Sequence, residues 1–336
     1  MSEKALEIIG LSVDITVGST TRPILRDVSL SIEPGRCTSL VGESGSGKSM
    51  TARTVLQLLP PSASMSGDVR VDGRSVMAMS SAQLRRLRST QVGMVFQDPR
   101  AHINPVRTIG AFLVEGLVDS SGEPMRRNAA WARAVELLDE VGISEPHRVM
   151  KQYPHELSGG MLQRVAIASA LAPEPGVILA DEPTTALDVV TQAGLMALFD
   201  RLCHSRGLAL LFITHDLDLA LAISDNVSVM YAGEIVESRS AAALAQGAEH
   251  PYTAALLAAR PSVLGNPHRL PAPTGAPMAA FEAPQSGCAF APRCSFAQAR
   301  CSESSVGLTK VSSGCVRCVR SGELGRLSPA PEVAAS

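Results

Sequence analysis

Residues 42–49 read Gly42-Glu43-Ser44-Gly45-Ser46-Gly47-Lys48-Ser49, directly after the apolar run Thr38 to Val41 and directly before a segment of helical character. Strand, glycine-rich loop, Lys-Ser pair and helix in that order are the context a phosphate-binding loop requires. The glycines let consecutive backbone N–H groups converge on phosphate oxygens at a helix N-terminus. Gly42, Ser44, Gly45, Ser46 and Gly47 are therefore expected to cradle a nucleotide, with Lys48 neutralising its β and γ phosphates and Ser49 ligating Mg²⁺. The bland alternative is a glycine-rich turn, against which strand, loop, Lys-Ser and helix all agree.

Outward from the loop, Thr38 to Val41, Val92 to Phe96, Val177 to Ala180 and Leu208 to Thr214 are compact apolar runs separated by helical patterns, as buried parallel strands should be. Glu7 to Val17 and Ile24 to Ile32 alternate apolar and polar residues, and Ser66 to Gly73 reads as a short strand between turns, so a small antiparallel β-layer is expected. Helical spacing near Ile109 to Val141 and Leu162 to Leu171, broken at Gly122-Glu123-Pro124 and Gly142, predicts a helical subdomain over about 98–170. From Pro261 to Pro284 the chain is rich in Pro, Ala and Gly and reads as an extended connector. Residues 321–336 hold few large apolar side chains and are expected to form a disordered tail.

Val177-Ile178-Leu179-Ala180-Asp181-Glu182 ends a buried strand in two carboxylates. Asp181 could hold Mg²⁺ through water and Glu182 could polarise an attacking water. An acidic strand end alone is usually only solvated, and the pair gains weight from the phosphate loop. Together they indicate an NTPase.

Leu157-Ser158-Gly159-Gly160-Met161-Leu162-Gln163-Arg164 opens an amphipathic helix with small residues, and here the chain resembles the ABC ATPase family. The family's LSGGQ signature is represented by LSGGM, with Met161 in the fifth position. The remaining elements follow in order: Gln97 in Val95-Phe96-Gln97-Asp98-Pro99, Asp188 in Ala186-Leu187-Asp188, and His215 after Leu210 to Thr214. The resemblance spans roughly Leu6 to Glu237 and implies an α/β fold, a P-loop ABC ATPase core with an antiparallel β-subdomain and a helical subdomain, in an ATPase domain over 1–245. It further implies that Gln97 contacts Mg²⁺ and the attacking water, that His215 contacts the γ-phosphate, and that Asp188 lies across a dimer seam. Ser158, Gly159 and Gly160 would face the γ-phosphate held by an opposite subunit, where small residues expose the backbone. Family members commonly stack adenine on an aromatic side chain in the first strands; Ile15 stands at that position, so adenine is expected to rest on aliphatic surface alone, with modest ATP affinity or weak base selectivity.

His250-Pro251-Tyr252-Thr253 and Gly287-Cys288-Ala289-Phe290-Ala291-Pro292-Arg293-Cys294 are similar to the C-terminal extension of the dipeptide/oligopeptide and nickel branch of ABC importers, here residues 246–320. Cys288, Cys294, Cys301 and Cys318 match positions at which that branch often carries a [4Fe–4S] cluster, and four thiolates satisfy the ligand count. Spacing alone favours Zn²⁺, which the Cys315-x-x-Cys318 pair would suit; unligated thiols stay open, and disulfides are disfavoured in a cytosolic chain. Cys37 and Cys203 read as core residues.

The chain has 336 residues and a formal net charge of -2, which gives no electrostatic argument for nucleic acid or an anionic membrane. The N-terminal decapeptide carries Glu3, Lys4 and Glu7 and lacks the apolar run of a secretory signal. No apolar stretch approaches the roughly 20 residues of a membrane-spanning helix, so membrane association is expected through partners. The resemblance names them: a second ATPase subunit, commonly a different polypeptide, two permease subunits, and an extracytoplasmic solute-binding protein. The expected place is the cytoplasmic face of the inner membrane, as a peripheral subunit. Peptide is the favoured cargo, with nickel complexes, opines or other small solutes as alternatives. A soluble ABC ATPase acting on ribosomes or DNA typically carries two cassettes or a long coiled-coil insertion, and neither is visible.

Overall fold

The computed structural model describes residues 4–118, 123–185, 187–259, 278–284, 286–303 and 305–327. The first strand, β1 (Leu6–Val17), turns at Gly18, whose φ of 63° suits a tight hairpin, into β2 (Thr20–Ile32). With β4 (Ala63–Val71) and β5 (Arg74–Ser75) these strands form an antiparallel sheet in the order β2-β1-β4-β5. Pro23 is tolerated in β2 because that strand lies at the sheet's margin and needs no further donor there.

The second sheet has eight strands in the order β11-β12-β10-β9-β3-β8-β7-β6. Its parallel part comprises β3 (Cys37–Val41), β6 (Val92–Val95), β7 (Val177–Asp181), β8 (Ala209–Thr214) and β9 (Asn226–Tyr231). Every residue of β3, β7 and β8 is buried, which explains why these strands read as unbroken apolar runs. An antiparallel extension, β10 (Glu234–Ser240), β11 (Thr309–Val311) and β12 (Gly314–Val316), completes the sheet; β12 pairs with β10 through Glu237↔Val316 and Arg239↔Gly314. That continuation was not legible in the sequence, because β11 and β12 have three residues each.

Helix α1 (Lys48–Val55) follows β3, and α2 (Ser81–Thr90) precedes β6. Between β6 and β7 lie α3 (Pro99–His102), α4 (Ile109–Glu115), α5 (Arg127–Glu140), α6 (Pro146–Val149) and α7 (Gly159–Leu171). After β7 come α8 (Val189–Arg206), α9 (Leu217–Ile223), α10 (Ala241–Ala245) and α11 (Pro251–Ala258). One apolar core packs α4, α5, α7 and α8 against one face of the large sheet, including Ile178, Leu210 and Phe212. A second joins the antiparallel sheet and α1 to the opposite face through Leu179, Leu211 and Ile213. Adjacent residues of the same strands thus serve opposite cores, as strand geometry dictates.

Of the Pro/Ala/Gly-rich stretch 261–284, residues 261–277 lie outside the described residues, as does Gly122 of the Gly122-Glu123-Pro124 break. Residues 321–327, read as the start of a disordered tail, belong to the fold: Leu327 bridges Ala248 through both backbone groups, and Glu323 accepts from Arg300 and Arg320. Backbone pairing and charge hold what apolar content does not. The rest of that stretch, 328–336, lies outside the described residues.

Candidate active site

The turn from β3 into α1 requires two of its glycines. A Cβ on Gly42 would stand 2.1 Å from the Met230 carbonyl oxygen of β9, and Gly47, the N-cap of α1, has φ of 106°. Lys48 is buried, and its Nζ donates to the carbonyls of Gly42 at 2.8 Å and Glu43 at 2.9 Å, which lays the ammonium along the loop. Burial lowers its pKa, opposed by the carboxylates of Glu182, Asp181 and Glu43.

Parallel pairing of β3, β8 and β7 brings the carboxylates to the loop. Ser49 Oγ donates to Asp181 Oδ1 at 2.8 Å, and burial raises the Asp181 pKa. A hydroxyl and a carboxylate at this separation are oxygen donors suited to Mg²⁺. Glu182 has φ of 46°, in the left-handed region, while its N–H still donates to Ile213 O at 2.9 Å. The backbone therefore turns sharply at the strand end, a placement that non-glycine residues adopt at a cost. Glu182 Oε2 accepts from Gln97 Nε2 at 3.1 Å and Thr185 Oγ1 at 3.0 Å, and lies 3.4 Å from His215 Nδ1.

One cavity is lined by Ser44, Gly45, Gly47, Lys48, Ser49, Gln97, Glu182 and His215. Its remaining wall includes Ile24 of β2 together with Ala279, Ala280 and Phe281 from the C-terminal part of the chain. Ile15, the residue expected beside adenine, is not among the lining residues; it pairs in β1 with Arg22 and Ala63. Gly42 and Ser46 belong to the loop but not to the cavity lining, and Ser46 is buried with its hydroxyl unpaired.

Ser158, Gly159, Gly160 and Asp188 are not brought into this cavity. Ser158 caps α7 by accepting from Met161 N, and Asp188 caps α8, accepting from Thr191 N at 2.9 Å and Thr191 Oγ1 at 2.7 Å. Those Thr191 hydrogen bonds, the backbone one first, hold the Asp188 carboxyl below its ordinary pKa. A Cβ on Gly160 would lie 2.5 Å from Thr191 Cγ2, whereas one on Gly159 would meet nothing within 4 Å. Internal packing thus accounts for Gly160 and not for Gly159. Gly159 lines a separate groove with Asp98, Pro99 and Arg100, and Gln97 borders both that groove and the loop cavity.

The C-terminal part reaches the phosphate loop by contacts that sequence reading missed. Arg293 donates to both carboxylate oxygens of Glu43, and Tyr252 Oη accepts from Glu43 N at 3.1 Å. Tyr231, Tyr252 and Phe290 pack with ring centroids 4.7 to 5.3 Å apart. His250, wholly buried and accepting from Tyr252 N, has its pKa pushed down to about 3 by burial and is a neutral packing and capping residue.

None of the seven cysteines is in a disulfide, and Cys37 and Cys203 are buried in the core, where burial pushes the Cys203 thiol up to about 12. Cys288, Cys294, Cys301 and Cys318 line one small cavity with Phe290, Phe296 and Leu324, while Cys315 stands apart on β12, opposite Ser238. Among the described residues no three Cys, His, Asp or Glu side chains come together tightly enough to hold a single metal ion. A tetrahedral Zn²⁺ with bonds of about 2.3 Å would draw its sulfurs to about 3.8 Å from one another. The four cysteines therefore share one cavity wall without forming a ready-made single-metal site among the described residues.

A family model described as "ABC transporter" matches residues 25–185, and one described as "Oligopeptide/dipeptide transporter, C-terminal region" matches residues 236–301. A putative peptide import ATP-binding protein of Brucella abortus (strain 2308) is 42% identical over 297 residues, covering 88% of this chain and 89% of that protein. An uncharacterized ABC transporter ATP-binding protein of Escherichia coli (strain K12) is 44% identical over 275 residues, covering 81% of this chain and 51% of the other. Among solved structures, a dimeric ATP-binding cassette in a post-hydrolysis state with ADP and Pi superposes with a TM-score of 0.63 at 30% identity, over 70% of this chain and 98% of that one. CbiO1 of Clostridium perfringens, part of the ABC transporter complex cbiONQ, gives 0.62 at 26% identity, over 72% and 91%.

Proposed function

This chain belongs to the ABC transporter family, as an ATP-binding subunit of its oligopeptide/dipeptide branch, and from that premise we propose that it hydrolyses ATP to drive import of peptides through separate membrane subunits. The observation that carries the reading is the convergence of Lys48, Ser49 and the Gln97–Glu182–His215 constellation on one cavity, with Asp181 behind Ser49 as its hydrogen-bond acceptor. Among the described residues no helix is long and apolar enough to cross a membrane. We assign the chain to the cytoplasmic face of the inner membrane, held there by two permease subunits that receive solute from an extracytoplasmic binding protein.

In this reading, ATP phosphates displace the Gly42 and Glu43 carbonyls from the Lys48 ammonium, which then pairs with the β and γ phosphates. Ser49, Asp181 and Gln97 would hold Mg²⁺, which when bound would supply neutralisation of the charge on the nucleotide's phosphates. Glu182 accepts the proton of the attacking water, with Gln97 orienting that carboxylate and His215 turning to the γ-phosphate. Ser158, Gly159 and Gly160 serve the nucleotide of a second ATPase subunit, which accounts for an unfilled glycine on an open face. Val189 and Val190, 81% and 83% exposed beside Asp188, supply apolar surface for that same seam. A related but different second subunit is the arrangement we favour.

We assign a [4Fe–4S] cluster to Cys288, Cys294, Cys301 and Cys318. Support comes from their common cavity and from the place of Cys315 on β12, outside that cavity. We divide the chain into an ATPase domain over 1–245 and an extension over 246–320, the second contributing to the walls of the first.

The test is ATP hydrolysis by the native membrane complex copurified with this chain, its binding protein loaded in turn with dipeptides, longer peptides and nickel chelates. Peptide stimulation is expected. Stimulation by nickel chelates alone would reassign the cargo, and failure to copurify any permease would overturn the transport role.

A further inference from the structure

Phe281 is a large apolar side chain left 45% exposed, and it lines the same cavity as Lys48 and Ser49. Its backbone is held there by the antiparallel sheet: Arg26 of β2 donates to the carbonyls of Pro284 at 2.7 Å, Ala283 at 3.1 Å and Ala280 at 3.2 Å. Gly233 makes room for the segment, since a Cβ there would stand 2.9 Å from Ala280 Cβ. Ala279, two residues before Phe281, approaches the phosphate loop at Gly45, where an added Cβ would lie 4.0 Å from its own. The Arg22 guanidinium stands over the Phe281 ring, 5.1 Å from its centroid. Arg22 is in turn the cross-strand partner of Ile15, the position at which an aromatic residue was expected and is lacking.

We propose that Phe281, delivered by the C-terminal part of the chain and steadied by Arg22, is the platform on which the purine base of ATP stacks. The inference rests on the assignment of this cavity to ATP. A flat apolar ring presented to a polar phosphate-binding cavity has a π-face to offer, and every nucleobase can use one. Arg22 covers one face of the ring by a cation–π contact, which fixes its plane and leaves the rest of the ring to the cavity. Ile24, on the same wall, adds aliphatic surface beside the base. The phosphate loop thereby holds the phosphates and a segment some 230 residues later holds the base, so that ATP itself bridges the two parts of the chain. Arg22 is a positioning residue, since it acts through the ring.

Stacking contributes without reference to the phosphates, so the two halves of the ligand can be measured apart. Equilibrium binding of ATP, GTP and inorganic tripolyphosphate to the full chain should be compared in the wild type, Phe281→Ala and Phe281→Tyr. The Ala variant should bind ATP and GTP about tenfold more weakly, the size of a single base stack, with tripolyphosphate affinity unchanged. The Tyr variant should restore nucleotide binding, and Arg22→Ala should weaken ATP less than Phe281→Ala does. Equal ATP affinity in the wild type and Phe281→Ala would overturn the platform while leaving the ATP site intact. Loss of tripolyphosphate along with ATP in Phe281→Ala would also overturn it, by making the residue structural. A wild-type chain that binds neither ATP nor tripolyphosphate would remove the nucleotide assignment itself.

Discussion

Arg293 spans both carboxylate oxygens of Glu43, with Nη1 2.8 Å from Oε2 and Nη2 3.1 Å from Oε1. Glu43 is the second residue of the phosphate loop, and Arg293 immediately precedes Cys294. Both side chains are largely withdrawn from solvent, so the pair is a fork-to-fork contact in which removal of one partner strands the other. Arg293→Ala and Glu43→Gln should each lower the melting temperature. A double-mutant cycle should return a coupling energy of about 1–3 kcal/mol, and simple additivity of the two effects would rule the tie out. Arg293→Lys should behave more like Ala than like the wild type, because an ammonium cannot reproduce the bidentate geometry.

Glu182 touches Gln97, Thr185 and His215 together. Glu182→Gln should keep ATP binding and lower turnover by about 100-fold or more, the usual contribution of a positioned base. ATP should also trap the variant as a dimer, readable by light scattering. Lys48→Ala should act earlier, weakening ATP binding by about 2 kcal/mol through loss of a charge-assisted contact.

Asp181 carries a stability signature as well as a functional one. Its folded-state pKa is raised by burial, so the ligand-free native state favours the protonated form more than the unfolded chain does. That stabilisation is full below the unfolded value near 3.8 and is lost as pH rises through the higher folded value. Asp181→Asn, whose amide oxygen can still accept from Ser49, should therefore raise the melting temperature of ligand-free protein at pH 7 and have little effect near pH 4. The same variant should lose Mg²⁺-dependent hydrolysis. A wild type more stable than the variant at pH 7 without Mg²⁺ would contradict the sign.

Gly159 and Gly160 should separate by mechanism although they are neighbours. Gly160→Ala drives a Cβ into Thr191 and should cost about 1–3 kcal/mol of stability, partly recovered by Thr191→Ser. Gly159→Ala meets nothing inside the chain and should melt like the wild type, yet hydrolyse ATP about tenfold more slowly once a second subunit must pack against the added methyl. Full activity in Gly159→Ala would refute the facing-subunit role.

Iron should follow the cavity and not the count of cysteines. Chain purified without oxygen should show thiolate-to-iron absorption, and Cys294→Ser should lower iron and acid-labile sulfide. Cys315→Ser should leave both unchanged, because its thiol belongs to β12 and not to the cavity wall. Stoichiometric zinc in place of iron would favour the spacing-based alternative.

The elements legible from the sequence were those written in local order. The phosphate loop lies between β3 and α1, and each of its chemical roles follows from residues fewer than ten apart. The strands of the parallel core were equally plain, because burial on both faces leaves continuous apolar runs. What escaped is contact across distance. Arg293 meets Glu43 from 250 positions away, and nothing in either neighbourhood signals the other. Phe281 lies within the Pro/Ala/Gly-rich stretch 261–284 that reads as mere connector, so nothing local marks it as a wall of the nucleotide cavity. The place of Cys315 in the large sheet was equally hidden, because β12 has three residues and is too short for any periodicity to declare.

The antiparallel strands beyond β9 bear on where the molecule can be cut. A chain ended after Ser240 would leave β10 with its outer row of N–H and C=O groups unpaired, along residues that are buried in the intact protein. Arg239, now bonded to Ser313 and Gly247, and Glu237, now accepting from the backbone of Glu249 and His250, would lose these partners at the same stroke. A fragment trimmed to the segment that resembles other cassettes would thus be a template for self-association, and its solubility would say little about the catalytic machinery it still contains.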